Sequence, residues 1–196
     1  MLPAESRFVA GDHLKVRRPF GYWHHGIYVG GDRVIEFGGE KKSKEAAQVR
    51  EVALVEFQDG GLIEVVGHER PSILAMWAPT ALRRAERVER AKFLLRTASP
   101  GRYNLFGHNC EHAATWCATG FPESHQVRVG LYLNMLRSTG TLLMTAWLAR
   151  NSRRIPSWIP ITTVISFIAV TQYHFHQGRF VREVDRAWRA YKASGA

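Results

Sequence analysis

The sequence predicts an α+β fold, in which a small antiparallel sheet packs on helices and an α-helical, hydrophobic C-terminal extension follows. Short β-rich segments separated by glycine turns fill residues 11–66. Helical patterns follow at 81–98 and 110–118. From residue 122 onward, long uncharged runs are separated by arginines. We therefore divide the chain into a domain over residues 8–121 and a helical, basic and apolar extension over residues 122–196.

The β-rich part predicts a hairpin at its centre. Residues 11–16 alternate polar and apolar side chains and predict a first strand, which residues 18–21 interrupt with a proline and a glycine. Residues 23–29 and 33–37 are rich in aromatic and β-branched side chains and flank a Gly-Gly-Asp turn, which predicts two paired strands. Residues 40–50 predict a surface loop, residues 52–57 fit either a strand or a short helix, and residues 62–66 predict a further strand.

Two helices are predicted to complete the domain. The first covers residues 81–98, with Pro79-Thr80 as its N-cap, apolar side chains at helical spacing on one side and Arg83, Arg84, Arg87 and Arg90 facing outward. The second begins at Cys110 and ends where Gly120 and Pro122 follow. In the extension, residues 180–192 predict an amphipathic terminal helix.

The net charge of +10 is concentrated in the extension. Residues 1–121 carry +3 and residues 122–196 carry +7, and no acidic residue occurs between Glu123 and Glu183. A basic segment of this kind faces either nucleic acid or an anionic membrane, and the apolar runs between its arginines favour the membrane. We therefore expect a phospholipid or membrane partner and no nucleic acid. Residues 155–178 are long enough to span a bilayer, but two prolines, several hydroxyls and two histidines also allow an interfacial helix or a packed hairpin.

The two cysteines, Cys110 and Cys117, do not form a disulfide framework. On one helix they lie about 10 Å apart, too far for a disulfide bond, which favours a reducing compartment. The N-terminus lacks the apolar core of a signal peptide, so we expect a cytoplasmic protein or one at the cytoplasmic face of a membrane. At a helix N-terminus, Cys110 meets unpaired backbone N–H groups and the positive end of the helix dipole, which favour a nucleophilic thiolate.

A thiol nucleophile needs a base, and the hairpin offers candidates. His24 and His25 are adjacent on one strand and therefore point to opposite faces of the sheet. Antiparallel pairing brings Glu36 roughly opposite the end of the strand that carries them. We expect one face to present a histidine together with its orienting carboxylate, with the cysteine helix packed over that face.

Two blocks of sequence carry a family resemblance. The segments WHHGIYVGGDRVIEF and YNLFGHNCEH resemble the lecithin:retinol acyltransferase-like family, over residues 11 to about 120. The resemblance implies a circularly permuted papain-like fold, Cys110 as nucleophile, His24 as base and acyl chemistry on phospholipid esters through a thioester. Glu36 stands where the family commonly has a second histidine, and a carboxylate can also orient His24. The Cys110 backbone N–H would be the first oxyanion donor, and the sequence does not identify the second.

Other interpretations of these residues stay open at this stage. Cys110 could be a structural cysteine, His25 could replace His24 as base, and Glu36 could be a solvated carboxylate. The alternate spacing of His108, Cys110 and His112 fits no usual zinc pattern, so we expect neither a metal nor a cofactor. The alternative functions are a cysteine amidase or peptidase of the permuted papain type and a non-catalytic membrane-associated module. The acyl donor, the acyl acceptor and the oligomeric state are left open.

Overall fold

The computed structural model describes residues 7–38, 48–68, 81–97, 109–151 and 158–195. It confirms an α+β fold with a five-stranded antiparallel sheet in the order β4-β3-β2-β1-β5. The strands are β1 (His13–Arg17), β2 (Trp23–Gly30), β3 (Arg33–Gly38), β4 (Gln48–Ala53) and β5 (Ile63–Val65). The helices are α1 (Leu54–Gln58), α2 (Arg84–Thr97), α3 (Cys110–Thr119), α4 (His125–Asn151) and α5 (Trp158–Ala193).

The sheet carries a hydrophobic cluster on each of its two faces. Ile27, Ile35 and Phe37 pack against α2, α3 and the end of α5. On the opposite face, Tyr28 and Val34 belong to the cluster that includes the short helix α1. This division follows from the alternation of side chains along each strand, and it decides which face each residue of the β2–β3 hairpin can reach.

The predicted hairpin is confirmed, and its register places Glu36 opposite Gly26. The turn has positive φ angles at Gly30, Gly31 and Asp32, of 92°, 58° and 53°. Gly26 itself sits where a Cβ atom would come within 2.6 Å of Val34 Cγ1. Because a side chain at position 26 would collide with the neighbouring strand, glycine allows the two strands to pair closely beside His24.

Three details of the domain differ from the sequence-based expectations. Residues 48–50, expected in a surface loop, form the start of β4, because pairing with β3 compensates for their polar composition. Residues 52–57 divide between the end of β4 and α1. Arg90, expected to face solvent, is buried in α2, where its guanidinium lies over the rings of Trp116 and Trp188. The predicted N-cap at residues 79–80 lies outside the described residues.

The C-terminal extension forms two long helices, and the end of α5 joins the domain core. Val184 and Trp188 are buried in the same cluster as Phe93 and Trp116. Trp116 Nε1 also donates a hydrogen bond of 2.7 Å to Asp185 Oδ1. The predicted terminal helix is therefore the last part of α5 and packs on the domain, while the division at residue 121 stays a prediction. Among the helices that the structure describes, none combines the length and the apolarity needed to cross a bilayer.

In the α4–α5 pair, polar side chains lie between the helices and large apolar side chains of α4 face outward. Asn134 Nδ2 donates a hydrogen bond of 2.9 Å to Ser166 Oγ, and Ser138 hydrogen-bonds the same hydroxyl, so that the two serines are buried between the helices. The large apolar side chains of α4 face outward instead: Val129, Tyr132, Leu133, Met135, Leu136, Leu142, Leu143, Met144 and Trp147. We call these nine residues the apolar face of α4. In a water-soluble helix pair the apolar side chains normally lie between the helices.

Candidate active site

The motif Asn109-Cys110-Glu111-His112 builds the start of α3. Asn109 is the N-cap, and its Oδ1 accepts hydrogen bonds from the His112 backbone N–H at 3.0 Å and from His112 Nδ1 at 2.8 Å. His112 is fully buried, so this pair fixes the first helical turn from inside the domain. Cys110 is the first residue of the helix, as predicted, and its N–H has no carbonyl partner within the helix.

His24 and Glu36 form a buried pair on the hairpin. His24 Nε2 donates to Glu36 Oε2 at 2.7 Å, and the two residues are 8% and 3% exposed. The two positions lie diagonally across the β2–β3 pairing, with their side chains on one face of the sheet. Because Nε2 is engaged with the carboxylate, Nδ1 is the ring nitrogen left to interact with a nucleophile.

The structure brings Cys110 to the His24–Glu36 pair at the N-terminal end of β2. Cys110 lies near enough to His24 for its charge to affect the pKa of the imidazole, and Cys110 Sγ lies 3.9 Å from the carbonyl oxygen of Trp23, the residue before His24. The three predicted residues, Cys110, His24 and Glu36, therefore meet. The expectation that α3 packs over the face carrying His24 is wrong, because α3 packs on the face of Ile27 and Phe37, whereas His24 lies on the opposite face beside the Phe57 ring. The thiol therefore approaches the imidazole at the N-terminal end of β2.

The charges in the pocket favour a protonated His24. Burial alone would lower its pKa, but the negative charge and hydrogen bond of Cys110, together with Glu36, raise the pKa of His24 to about 9. Burial acts against ionisation of Glu36 as well, yet the hydrogen bond and charge of His24, followed by those of Arg50, lower its pKa. The arrangement therefore favours a protonated His24 imidazole with an ionised carboxylate behind it.

Glu111 does not contact the His24–Glu36 pair and instead connects α3 to the start of α4. Its carboxylate accepts the Ser124 hydroxyl at 2.5 Å, the His125 backbone N–H at 3.0 Å and the Gln126 backbone N–H at 3.2 Å. The carboxylate therefore caps the α4 N-terminus and interacts favourably with its dipole. Glu111 therefore has a structural role at the junction of the two helices.

Gln126 is a site neighbour that the sequence did not reveal. Its side-chain Oε1 accepts the Trp23 backbone N–H at 2.7 Å, and its Nε2 donates to the Trp23 carbonyl oxygen at 3.1 Å. The Gln126 amide thus holds the residue next to His24 at both of its backbone groups. Gln126 lies in the extension and belongs to no recognisable motif, so only the folded chain shows that the first turn of α4 holds the backbone beside His24.

His25, the alternative base, is committed to a different set of contacts. Its Nδ1 lies 2.9 Å from His13 Nε2, and its Nε2 lies 3.9 Å from Glu111 Oε1. His13 Nδ1 in turn lies 2.9 Å from His68 Nε2. Burial is the main cause that lowers the pKa of His25 to about 4, so this imidazole stays neutral. The geometry does not place His25 against the thiol.

An apolar cavity lies between the sheet and the helices α2 and α3. Cys110 lines one part of it, and Ile27, Phe37, Leu94 and Cys117 line others.

Both cysteines are free thiols, and burial raises the pKa of Cys117 far above its usual range, so this second thiol is unreactive. Cys117 therefore packs as a small apolar side chain in the core.

Tyr22 directly precedes β2, the strand that carries His24. Burial, followed by the charge of Cys110, raises the pKa of the Tyr22 hydroxyl, which keeps it protonated. Within the described residues, no group of three or more histidine, cysteine or carboxylate side chains could hold a metal ion. His108 lies outside those residues.

Comparison with known protein families places the chain. The model of the family described as lecithin retinol acyltransferase matches residues 6–123. The matched segment includes the whole sheet and α3, with Cys110, His24 and Glu36 in it. This family match indicates a protein of the acyltransferase or hydrolase class. The chain belongs to the lecithin retinol acyltransferase family. A comparison with curated proteins gives no match.

Proposed function

We propose that this protein cleaves acyl esters of phospholipids through a thioester on Cys110, with His24 as base and Glu36 orienting it. The contact of a helix-terminal thiol with a buried histidine–carboxylate pair, in a chain of this family, is the observation that carries the proposal. Family membership by itself indicates only an acyltransferase or hydrolase. The choice of ester and the roles of the three residues are what we add.

In the first half of the reaction, the Cys110 thiolate attacks the ester carbonyl carbon, a C–S bond forms and the carbonyl oxygen becomes an oxyanion. The Cys110 backbone N–H, at the start of α3, donates to that oxyanion, and the protonated Tyr22 hydroxyl is our proposal for the second donor. When the intermediate collapses, the C–O bond to the glycerol breaks. The His24 imidazolium then gives its proton to the departing alkoxide, which leaves a lysophospholipid and an acylated cysteine.

In the second half, His24 is neutral and acts as a base. It takes the proton of a water, alcohol or amine that attacks the thioester carbonyl, and the C–S bond breaks to regenerate the thiolate. Glu36 stabilises the imidazolium that forms again on His24. With water the product is a fatty acid, and with an alcohol or amine it is an ester or amide.

The raised pKa of His24 gives a testable pH dependence. The leaving group must be protonated by the His24 imidazolium. Because the pKa of His24 is raised to about 9, this imidazolium is present below pH 9 and is lost above it. We expect kcat/KM for lipid cleavage to fall as the pH rises through this value. Measuring kcat/KM between pH 5 and about 10.5 checks it. A decline centred near the ordinary histidine pKa of about 6.5 would contradict the assignment of His24.

We also propose that the apolar face of α4 contacts a lipid surface. The polar seam between α4 and α5 and the outward apolar side chains resemble the arrangement of helices that pack in lipid, where small polar residues lie between helices. A patch of this kind on a water-facing surface usually marks an interaction site. The absence of acidic residues between Glu123 and Glu183 suits an anionic membrane surface. The expected place at the cytoplasmic face of a membrane stays a prediction.

Substituting Leu143 tests this lipid contact. Leu143 is 68% exposed, so Leu143→Asp removes no core packing. If the side chain enters lipid, losing its burial costs about 2 kcal/mol, which corresponds to about 30-fold weaker binding to vesicles. Flotation with vesicles of phosphatidylcholine and phosphatidylserine measures the change. Leu62→Asp is the matched control, because Leu62 is 72% exposed but lies just before β5. Equal flotation of both variants and the wild type would count against the lipid contact.

The chemical proposal is tested by product analysis on defined phospholipid vesicles. We expect a lysophospholipid product and an acyl adduct on Cys110 that mass spectrometry locates and hydroxylamine removes. Release of amino acids from peptide substrates without any lipid cleavage would favour the amidase or peptidase alternative. A well-folded protein that reacts with neither lipids nor an activated thioester would favour the non-catalytic module.

A further inference from the structure

The carboxylate behind His24 has a second partner on the next strand. Arg50 in β4 lies directly opposite Glu36 in the β3–β4 pairing. Arg50 Nε donates to Glu36 Oε1 at 2.8 Å, and Arg50 Nη2 lies 2.6 Å from the same oxygen. The other oxygen of the carboxylate, Oε2, accepts His24 Nε2 at 2.7 Å. Each oxygen of Glu36 therefore has its own cationic or N–H partner.

Arg50 is itself held in place by a third element. Its Nη1 lies 3.2 Å from Glu56 Oε1 on the short helix α1. The guanidinium thus bridges the buried Glu36 and the more exposed Glu56. A continuous polar chain runs from the thiol to the surface through Cys110, His24, Glu36, Arg50 and Glu56.

A buried carboxylate needs this second partner for two physical reasons. Two N–H groups converging on Oε1 fix the plane of the carboxylate, so that Oε2 stays aligned with His24. The positive charge of Arg50 also offsets part of the charge that Glu36 presents to the imidazole. With Glu36 alone, the imidazolium would be stabilised more strongly and would give up its proton at a higher pH.

We propose that Arg50 is a positioning residue that orients Glu36 and limits how strongly Glu36 stabilises the His24 imidazolium. This inference rests on the proposed function for its kinetic meaning, because deacylation needs His24 in its neutral form. Arg50 does not touch the thiol or the imidazole, so it acts only through Glu36. Its role is to keep His24 able to alternate between imidazolium and neutral base.

The decisive experiment compares R50Q with R33Q by the pH dependence of Cys110 alkylation with iodoacetate. An anionic reagent reacts fastest while the imidazolium is present, so the falling limb of the profile reports proton loss from His24. In R50Q we expect that limb to move upward by about one pH unit. R33Q is the matched control, because Arg33 also lies in the sheet and pairs with a strand glutamate, Glu51, at 2.9 Å but has no contact with Glu36. Its limb is expected to coincide with that of the wild type.

Turnover adds a second measurement on the same variants. If phospholipid cleavage is the reaction and deacylation limits turnover, R50Q should lower kcat by about tenfold and lower KM with it, leaving kcat/KM little changed, because Arg50 affects deacylation and not acylation or substrate contacts. R50K retains the charge but offers one donor to Oε1 where arginine offers two. It should therefore keep the wild-type limb while turnover remains slower.

The two proposals can fail separately. A folded R50Q whose alkylation rate and falling limb both match those of the wild type would overturn the role of Arg50, whatever happens with lipids. A shifted limb in a protein that cleaves no phospholipid would support the role of Arg50 and refute the proposed substrate. Should R50Q fail to fold, R50K decides alone. The proposal is supported if R50K turns over lipid more slowly, or is alkylated more slowly when no lipid is cleaved, while the falling limb of its pH profile is unchanged. Wild-type kinetics in R50K overturn the proposal.

Discussion

Replacing Cys110 by alanine is expected to remove phospholipid turnover, lowering kcat by about 10⁴-fold or more. The reason is that Cys110 supplies the atom that bonds to the acyl carbon, and no other described thiol can replace it. Cys117 lies on the same helix but is buried, and its raised pKa keeps it protonated. Product analysis by mass spectrometry of lipid extracts, with wild type and C110A side by side, gives the result.

Cys117→Ala is the matched control for this substitution. It removes a thiol from the same face of the domain and leaves the start of α3 untouched, so activity should stay within about twofold of the wild type when the protein is folded. The acyl adduct should appear on Cys110 in C117A and be absent in C110A. Unchanged lipid cleavage by C110A would end the nucleophile assignment and, with it, the mechanism.

Trp188→Ala is expected to produce the largest loss of stability, about 3–5 kcal/mol in the free energy of unfolding. Trp188 is 6% exposed and packs edge-on against Phe93 and Trp116, with ring centroids 5.2 and 6.0 Å away. The Arg90 guanidinium also lies over its ring, at 4.9 Å from the centroid. Removing the indole leaves a cavity where α5 meets α2 and α3. Urea denaturation followed by circular dichroism measures the loss.

Trp147→Ala serves as the comparison for Trp188→Ala. Trp147 belongs to the apolar face of α4 and is 63% exposed, so its removal should change the free energy of unfolding by no more than about 0.5 kcal/mol in detergent-free buffer. If the two tryptophan variants lose the same stability, the end of α5 does not contribute to the domain core as the structure shows. A large loss only in Trp188→Ala would establish that the end of α5 stabilises the core formed by the sheet, α2 and α3.

The central hairpin and the helix that begins at Cys110 were predictable because their signals are local. Alternating β-branched and aromatic residues on both sides of a Gly-Gly-Asp turn specify two paired strands, and the pairing places Glu36 near His24. Cys110 followed by good helix formers and then by Gly120 specifies a helix that begins at the thiol. These patterns depend only on neighbours along the chain. The pairing of Cys110 with His24 is not local, and it was predicted from the family resemblance.

Other features depended on contacts between residues far apart in the chain. Arg90 looks like a solvated helix residue until Trp188, almost one hundred positions later, covers it. Residues 48–50 look like a polar loop until β3 pairs with them. Gln126 and Arg50 have no motif, and only their approach to Trp23 and Glu36 gives them a place in the site.

The sequence by itself determined the α+β class, the thiol at a helix start, the histidine and the carboxylate, because each of these follows from local periodicity or from a recognisable block. The tertiary structure alone decided that the thiol reaches His24 at the end of β2 and not over one face of the sheet. It also decided that Arg50 closes the chain behind Glu36 and that the last turns of α5 complete the core. The physical reason is that burial, charge pairing and sheet register are properties of contacts across the fold, which spacing along the chain does not encode.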